Sequence, residues 1–355
     1  MPSSEREVSS SFSAKRINST TCVIQEDDVF REHPLIYVKI HPKVPIIILS
    51  DTGCDEPSEG KKHARFTQLR DYIENCPVTC NNDKPMNPHG ERQYYIISTH
   101  CHYDHLGGIT QFLAGGTTEI IASAAGRDFI ESDLESHGLF NHVRKPAPYF
   151  QVTYWAPAFA RLTHPLKHAN EENLTTAKPV DLGVTIIHTP GHTPDELAWY
   201  DHDEMHLYIG DSFYEAGEEE MPIEWPVDGN MIEWVFSMRK LISLVESENS
   251  RAAKGEAEDE DGWMQVARRV RLGAGHQTYA ADAMDLMERL WDVWWRTVKG
   301  EVPVSRKRVL WGQEVLTWRE NDLKSGIYFE GPASLMEDTR RFFEGGGPSR
   351  GRMTD

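Results

Sequence analysis

Residues 99–108 read THCHYDHLGG and place four potential metal ligands within six residues: His100, His102, Asp104 and His105. The stretch follows residues 94–98, which read YYIIS and are typical of a buried strand. Side chains two residues apart lie on the same side of an extended backbone, so His100 and His102 can converge on one ion. Asp104 and His105 lie where the chain is expected to turn into a helix, which directs them to a second position. The stretch therefore predicts a metal site at a strand end.

Three further residues are potential ligands at the ends of short apolar segments. His192 lies in TPGHT at 189–193, Asp211 in GDS at 210–212, and His276 in GH at 275–276. Each has a glycine beside it, which permits the tight backbone of a ligand loop. A single polar residue at a strand end usually only terminates the strand. Together with the first motif, these three residues give seven potential ligands, which are enough for two ions. A metal-binding Asp211 explains the GDS sequence better than a nucleophilic serine does.

These motifs, in this order and with SDTG at 50–53, resemble the metallo-β-lactamase-fold superfamily over about residues 30–280. The resemblance implies an α+β fold, the αββα sandwich, in which two mixed β-sheets are covered by helices. It also implies a dinuclear metal site at one edge of the two sheets.

The resemblance further implies a ligand set for each ion. The first ion would be bound by His100, His102 and His192. The second would be bound by Asp104, His105 and His276. Asp211 would bridge both ions, and Asp51 would support the ligands through hydrogen bonds.

A dinuclear site of this kind predicts a hydrolase. Two Zn²⁺ ions per chain, or iron or manganese with the same donors, would hold a hydroxide that attacks the carbonyl of a small organic substrate. Asp104 would handle the proton on its way to the leaving atom, and Asp211 would hold both ions. We expect opening of a lactone or lactam ring. The alternatives are a thioester hydrolase similar to glyoxalase II, a phosphodiesterase or nuclease, and an iron-dependent persulfide dioxygenase.

Composition narrows the choice of partner. The 355 residues include 37 Lys and Arg against 56 Asp and Glu, a formal net charge of −19. Such a charge disfavours nucleic acid and anionic membranes and suits a small uncharged substrate. The five cysteines and the polar first 20 residues, without an export-type apolar segment, predict reduced thiols and a cytoplasmic location. The Trp-rich residues 290–298 are expected to pack either the core or a second copy in a homodimer.

Four aromatic residues near the ligand motifs are candidates for the substrate pocket: Tyr103, Phe213, Tyr214 and Trp225. Tyr103 is the strongest of them because it lies inside the first motif. For the other three, packing in the core is the simpler interpretation.

The expected organisation is one catalytic domain with flexible ends. A flexible arm covers residues 1–24, the domain covers 25–343, and a flexible tail covers 344–355. Loop insertions are expected near 137–182 and 213–262, and the acidic run at 256–261 is expected to be a solvated loop. Helices are predicted over 63–75, 230–245 and 280–298 from their apolar spacing.

Overall fold

The computed structural model describes residues 9–166, 178–256, 268–310 and 312–345. The chain forms two compact units, Met1–Val184 and Thr185–Asp355. The acidic run after Glu256 and the expected tail beyond residue 345 lie outside the described residues. No helix in the described part of the chain has both the length and the apolar character needed to cross a membrane.

The first unit contains a seven-stranded sheet in which the strands follow chain order, β1 to β7. Its strands are β1 Phe12–Arg16, β2 Thr21–Glu26, β3 Leu35–Ile40, β4 Ile46–Ser50, β5 Gln93–Ile97, β6 Glu119–Ser123 and β7 Tyr154–Ala156. The strands β1 to β4 pair antiparallel, and β4 to β7 pair parallel. Every residue of β4 is buried, as its unbroken apolar sequence predicts for a strand covered on both faces.

Four short helices accompany this sheet, namely α1 Leu69–Asn75, α2 Tyr103–Leu106, α3 Arg127–Ser132 and α4 Leu134–His137. The predicted helix over 63–75 is shortened to α1 because Phe66 is tied to the start of β1, where the Ser11 N–H donates to the Phe66 carbonyl at 2.9 Å. The helix expected after the first motif is divided between α2 and a short 3-10 helix at Ile109–Phe112.

The expectation of a flexible arm over residues 1–24 is wrong for most of its described part. Residues 12–16 and 21–26 form β1 and β2, with Phe12 opposite Glu26 and Arg16 opposite Cys22. Only one face of β1 packs inward, so Phe12 is buried while Ser13 and Lys15 on the opposite face are exposed. A short strand with this many polar residues resembles a loop when it is considered alone.

A second sheet has the strand order β14-β13-β11-β10-β9-β8. Its strands are β8 Arg161–His164, β9 Val180–His188, β10 Leu197–Asp201, β11 His206–Tyr208, β13 Arg271–Gly273 and β14 Ala281–Asp282. Strand β9 contains the boundary between the two units. Strands β11 and β13 are parallel neighbours, and their last residues, Tyr208 and Gly273, are paired. The loops that follow these two strands therefore leave the same edge of the sheet.

A third sheet of four strands lies in the second unit, in the order β12-β17-β16-β15. Its strands are β12 Ile223–Glu224, β15 Val304–Leu310, β16 Gln313–Trp318 and β17 Phe329–Pro332. The helices of this unit are α5 Met231–Glu256, α6 Ala283–Val298 and α7 Ala333–Glu344. The region near 213–262, expected as a loop insertion, therefore includes β12 and the long helix α5.

The helix starts follow from side-chain caps. The Asn230 side chain accepts hydrogen bonds from the Ile232 and Glu233 N–H groups at 3.0 and 3.1 Å, so α5 begins at Met231. Asp282 caps α6 in the same way, which places the helix start three residues later than predicted. Trp294 of α6 is fully buried and packs 4.8 Å from Trp234 between ring centroids. The Trp-rich segment thus packs in the core of its own unit.

Candidate metal centre

The first ligand motif lies between β5 and α2 in the first unit. His100 and His102 follow the strand and are buried, and His100 Nε2 lies 3.0 Å from His102 Nδ1. Their ring centroids are 4.5 Å apart. The convergence predicted from the two-residue spacing is therefore present in the folded chain.

Asp104 and His105 lie in α2, a helix of about one turn, where the chain leaves the strand as predicted. Asp104 Oδ2 is 3.3 Å from His105 Nε2, and the His105 ring is 4.1 Å from the His100 ring between centroids. Both side chains are buried. The first unit thus gathers three imidazoles and one carboxylate into a single buried cluster.

Asp51 holds this cluster in place from the end of β4. Its carboxylate accepts hydrogen bonds from the Thr99 N–H and from the Thr99 hydroxyl, both at 2.8 Å. The Oδ2 atom also lies 3.1 Å from His105 Nδ1. A carboxylate on one imidazole nitrogen orients the ring and leaves the other nitrogen for a metal ion. The geometry supports the predicted role of Asp51.

Two glycines allow the loop after β4 to pack against α2. A Cβ atom at Gly107 would lie 2.3 Å from the Cys54 carbonyl oxygen, and one at Gly108 would lie 2.4 Å from the Thr52 carbonyl oxygen. The Thr52 N–H donates to the His105 carbonyl at 2.8 Å across the same contact. The glycines at the end of THCHYDHLGG therefore bring Asp51 within reach of His105.

The second unit brings together the three remaining ligands. Asp211 Oδ2 lies 3.3 Å from His276 Nε2 and 3.9 Å from His192 Nε2. Asp211 and His276 each follow the paired ends of β11 and β13 by three residues, and the Gly275 N–H donates to the Gly210 carbonyl at 2.7 Å. Parallel pairing of two strands therefore places the two side chains together.

His192 is positioned by contacts with β12 and α5. Its Nδ1 atom lies 2.8 Å from the Glu224 carbonyl oxygen, which leaves Nε2 toward Asp211. A Cβ atom at Gly191 would lie 2.5 Å from Cβ of Trp234, so the loop approaches α5 closely only because residue 191 is glycine. The Gly191 carbonyl accepts a hydrogen bond from the Asn230 N–H at 2.7 Å.

Behind Asp211 lies a buried carboxyl group that the sequence did not reveal. The Ser212 hydroxyl donates to Glu196 Oε2 at 3.0 Å, and Trp234 Nε1 donates to the Ser212 carbonyl at 2.6 Å. Burial raises the pKa of Glu196 well above its ordinary value. The signal that could have identified Glu196 is a glutamate four residues after His192 and directly before the apolar run LAWY at 197–200. The Ser212 hydroxyl is occupied by its hydrogen bond to Glu196, which agrees with the expectation that Asp211 rather than Ser212 is the functional residue of GDS.

The donor chemistry fits divalent transition metals. All seven candidate ligands are buried, and they offer five imidazoles and two carboxylates. Imidazole and carboxylate donors suit zinc, iron and manganese, and the set does not select among the three. Each unit therefore carries a buried His/Asp cluster able to take part in metal binding.

Of the four aromatic candidates, one lines a cavity and three belong to the core of the second unit. Tyr103 lines a cavity of about 350 Å³ in the first unit. Phe213 and Trp225 instead lie in the core of the second unit, where the Trp225 ring packs 5.3 Å from that of Trp234. Tyr214 lies 5.6 Å from the His276 ring and donates its hydroxyl to the Pro222 carbonyl at 2.8 Å. Large aromatic side chains next to an apolar core are buried there, so Phe213 and Trp225 are packing residues.

All five cysteines are free thiols, as expected. Cys76 and Cys80, which form a CxxxC pair in the sequence, lie in and beside the turns after α1, and Cys76 is buried while Cys80 is partly exposed.

Comparison with known proteins gives one family. The family model for the metallo-beta-lactamase superfamily matches residues 48–254, more than half of the chain. "Putative transcription factor avaE" of Aspergillus versicolor is 28% identical over 293 residues, which are 82% of this chain and 78% of that protein. Acyl-coenzyme A thioesterase MBLAC2 of Gallus gallus is 26% identical over 168 residues, 46% of this chain and 55% of that protein.

The chain thus spans about half the length of the chicken thioesterase that it matches. Among solved structures, an archaeal metallo-beta-lactamase superfamily protein from Sulfolobus tokodaii superposes with a TM-score of 0.48 at 14% identity. That match covers 82% of this chain and 92% of the archaeal one.

Proposed function

The chain belongs to the metallo-beta-lactamase superfamily, and from that premise we propose that it is a metal-dependent hydrolase acting on the carbonyl of a small organic substrate. The observation that carries the proposal is the pair of buried His/Asp clusters, one at strand ends of each unit. Most members of this superfamily are hydrolytic enzymes.

The ligand assignment follows the order of the motifs. His100, His102 and His192 would hold one ion. Asp104, His105 and His276 would hold the other. Asp211 would contact both, because its carboxylate has two oxygens and lies beside two imidazoles within its own unit. When bound, two divalent ions supply the acidity that makes water a nucleophile at neutral pH, and they polarise the carbonyl.

The residues of the chain contribute orientation and proton transfer. Asp51 fixes the His105 ring, and the Glu224 carbonyl fixes the His192 ring, so that each presents Nε2. Asp104 carries a carboxylate oxygen suited to hold a proton and deliver it to the leaving atom. Burial of the whole set keeps these groups in one arrangement before substrate binds.

The first substrate class we propose is a thioester. Its support is the similarity to acyl-coenzyme A thioesterase MBLAC2 of Gallus gallus, which covers less than half of this chain. Ring opening of a lactone or lactam, our expectation from the sequence, is the second candidate because it needs the same attack on a carbonyl. The net charge of −19 argues against nucleic acid as the substrate.

A hydrolysis panel with controlled metal content tests the proposal. The purified chain would be treated with a chelator, reloaded with zinc, iron or manganese, and assayed on thioesters, lactones, lactams, phosphodiesters and sulfate esters. We expect hydrolysis of a carbonyl substrate that is lost with the metal and restored by it. Undiminished turnover after chelation would contradict the proposal, and so would oxygen consumption with a persulfide and one iron per chain.

A further inference from the structure

The first unit contains a cavity of about 350 Å³ directly beside the ligand motif. Tyr103, which separates His102 from Asp104, forms part of its wall, and Gly107 at the end of α2 forms another part. We infer that this cavity binds the apolar acyl or aryl group of the substrate. The inference rests on the proposed function, because it assigns a place to one part of the molecule that is hydrolysed.

Part of the cavity wall is apolar and belongs to the packed core of the unit. Phe30 meets Tyr103 edge to face with ring centroids 5.2 Å apart, and Phe140 is 3% exposed. Tyr103 and Phe140 belong to the hydrophobic core of the unit, and Val143 packs against the same core. A cavity of this volume falls within the usual range for small-molecule sites, and aromatic walls favour flat or aliphatic groups.

Tyr103 is held so that its ring, rather than its hydroxyl, is available to the cavity. The hydroxyl donates a hydrogen bond to Glu32 Oε1 at 2.5 Å. The side chain is 8% exposed, so this bond is made in a largely dry environment. The phenol is therefore engaged with Glu32, and the ring contributes apolar surface.

The charged residues at the cavity disfavour an anionic occupant. Lys145 forms an ion pair with Glu56, so its charge is already matched. Asp55 accepts hydrogen bonds from the Gln68 and Gln111 side-chain amides at 2.9 and 2.8 Å. Two carboxylates against one ammonium leave an acidic surround, which repels a phosphate or free carboxylate. The occupant that fits is the uncharged hydrocarbon part of an ester or thioester.

One side of the cavity is formed in advance of binding. Residues 145–148 read KPAP, and all four line the cavity. The two prolines restrict the backbone, so little conformational entropy is lost when a ligand enters. The small side chain of Ala147 leaves the space open.

Variants that fill the cavity provide the test. Val143→Trp and Thr110→Trp each place a large ring at a lining position, and the exposed Thr117, outside the cavity, gives the matched control Thr117→Trp. The substrates are two thioesters of N-acetylcysteamine, one acetyl and one 2-naphthoyl. Loss of apolar burial worth roughly 1.5–3 kcal/mol corresponds to a rise of about 10- to 100-fold in KM. We expect that rise for the naphthoyl thioester, a smaller rise for the acetyl thioester, and no change with either substrate for Thr117→Trp.

A binding measurement separates this inference from the proposed function. The probe is 2-acetylnaphthalene, an uncharged ketone that cannot be hydrolysed. Calorimetric titration of the purified full-length chain with this ketone should show binding. Both filling variants should weaken the binding by about 10-fold or more, and the control variant should leave it unchanged. Binding without any metal-dependent hydrolysis would leave the cavity assignment standing and overturn the proposed function. Hydrolysis with equal KM values in wild type and filling variants, or no binding of the ketone to wild type, would overturn the cavity assignment.

Discussion

The two units supply their candidate metal ligands in different ways. In the first unit, four candidate ligands lie within six residues of one loop and one short helix, and Asp51 contacts one of them, His105. In the second unit, His192, Asp211 and His276 follow three separate strands, and parallel pairing of β11 with β13 brings two of them together. Candidate ligands that are close in the sequence are brought together by one loop and one helix. Candidate ligands that are far apart in the sequence come together only through strand register and contacts from distant elements.

The comparison also shows a shared form of support. Each unit places a buried carboxyl group against a loop near its candidate ligands, the loop after β4 in the first unit and the loop of Asp211 in the second. Glu26 accepts the Cys54 N–H at 2.7 Å in the first unit, and Glu196 accepts the Ser212 hydroxyl at 3.0 Å in the second. Burial raises the pKa of both groups, to about 8 for Glu26. These carboxyl groups act as neutral or nearly neutral hydrogen-bonding partners of the loops.

The largest effect is expected from removing the carboxylate of Asp211 in the second unit. Asp211→Ala deprives His192 and His276 of their neighbour and removes the proposed shared ligand, so bound metal should fall and turnover should drop by about 1,000-fold, or roughly 4 kcal/mol. Metal analysis and initial rates measure the two effects. The exposed Asp203 of the same unit gives the control Asp203→Ala, which should keep full activity. Normal metal content and turnover in Asp211→Ala would refute the dinuclear assignment.

A smaller effect is expected from changing Asp51, which supports the ligand motif of the first unit. Asp51→Asn keeps the shape of the side chain and tolerates the left-handed backbone at φ 64°, but it loses the charge beside His105. Metal affinity should fall by about 10- to 100-fold. Competition with a coloured chelator measures this affinity.

The control for Asp51 is Asp83→Asn. Asp83 is exposed and has a similar backbone conformation, with φ 58°. An equal loss of affinity in the two variants would mean that the change acts through the backbone rather than through His105.

The buried carboxyl of the first unit predicts a pH dependence of stability. Between pH 4.5 and about 8 the folded state keeps a proton on Glu26 that the unfolded state releases. The stability contributed by Glu26 is therefore complete below pH 4.5 and decreases as the pH rises toward 8, by up to about 1.4 kcal/mol per pH unit. Denaturant unfolding of wild type and Glu26→Gln across this range should show that decrease in their difference.

Exposed Glu91 provides the control for this measurement. The difference between wild type and Glu91→Gln should stay constant over the same range. A constant difference for Glu26→Gln as well would show that Glu26 does not keep its proton in the folded chain.

The smallest effect is expected outside both ligand sets. Deleting residues 256–261, which begin at the last residue of α5, should leave turnover and metal content unchanged within about 2-fold if the acidic run is a solvated loop. Steady-state assays and metal analysis check this. A large loss of turnover or metal content would instead indicate that the acidic run supports the candidate ligands of the second unit.

Much of the first unit could be predicted from local pattern. The strand before the first motif was predicted within one residue of its observed bounds, because an apolar run of this length is typical of a buried strand. The same method failed for β1, whose polar sequence becomes a strand only through pairing with β2. It also overextended α1, since Phe66 pairs with the N-terminal segment instead of continuing the helix.

The aromatic residues near the ligands show a second limit. Tyr103, Phe213 and Trp225 look alike in the sequence, each following or interrupting a ligand motif. In the folded chain Tyr103 lines a cavity, while Phe213 and Trp225 are enclosed by the tryptophan-rich core of the second unit. Whether an aromatic side chain is enclosed in the core depends on helices that are distant in the sequence. The spacing of residues along the chain therefore does not distinguish a cavity-lining residue from a core residue.

By itself, the sequence determined the family and the order of the candidate donor residues along the chain, because ligand chemistry and strand-end motifs are local properties. Tertiary structure alone decided which groups support the ligands. Glu26 and Glu196 are ordinary acidic residues in the sequence, and burial beside the loops at Cys54 and Ser212 makes them structural partners. The physical reason is that hydrogen bonding and desolvation depend on what surrounds a side chain in space, which residues far apart in the chain provide.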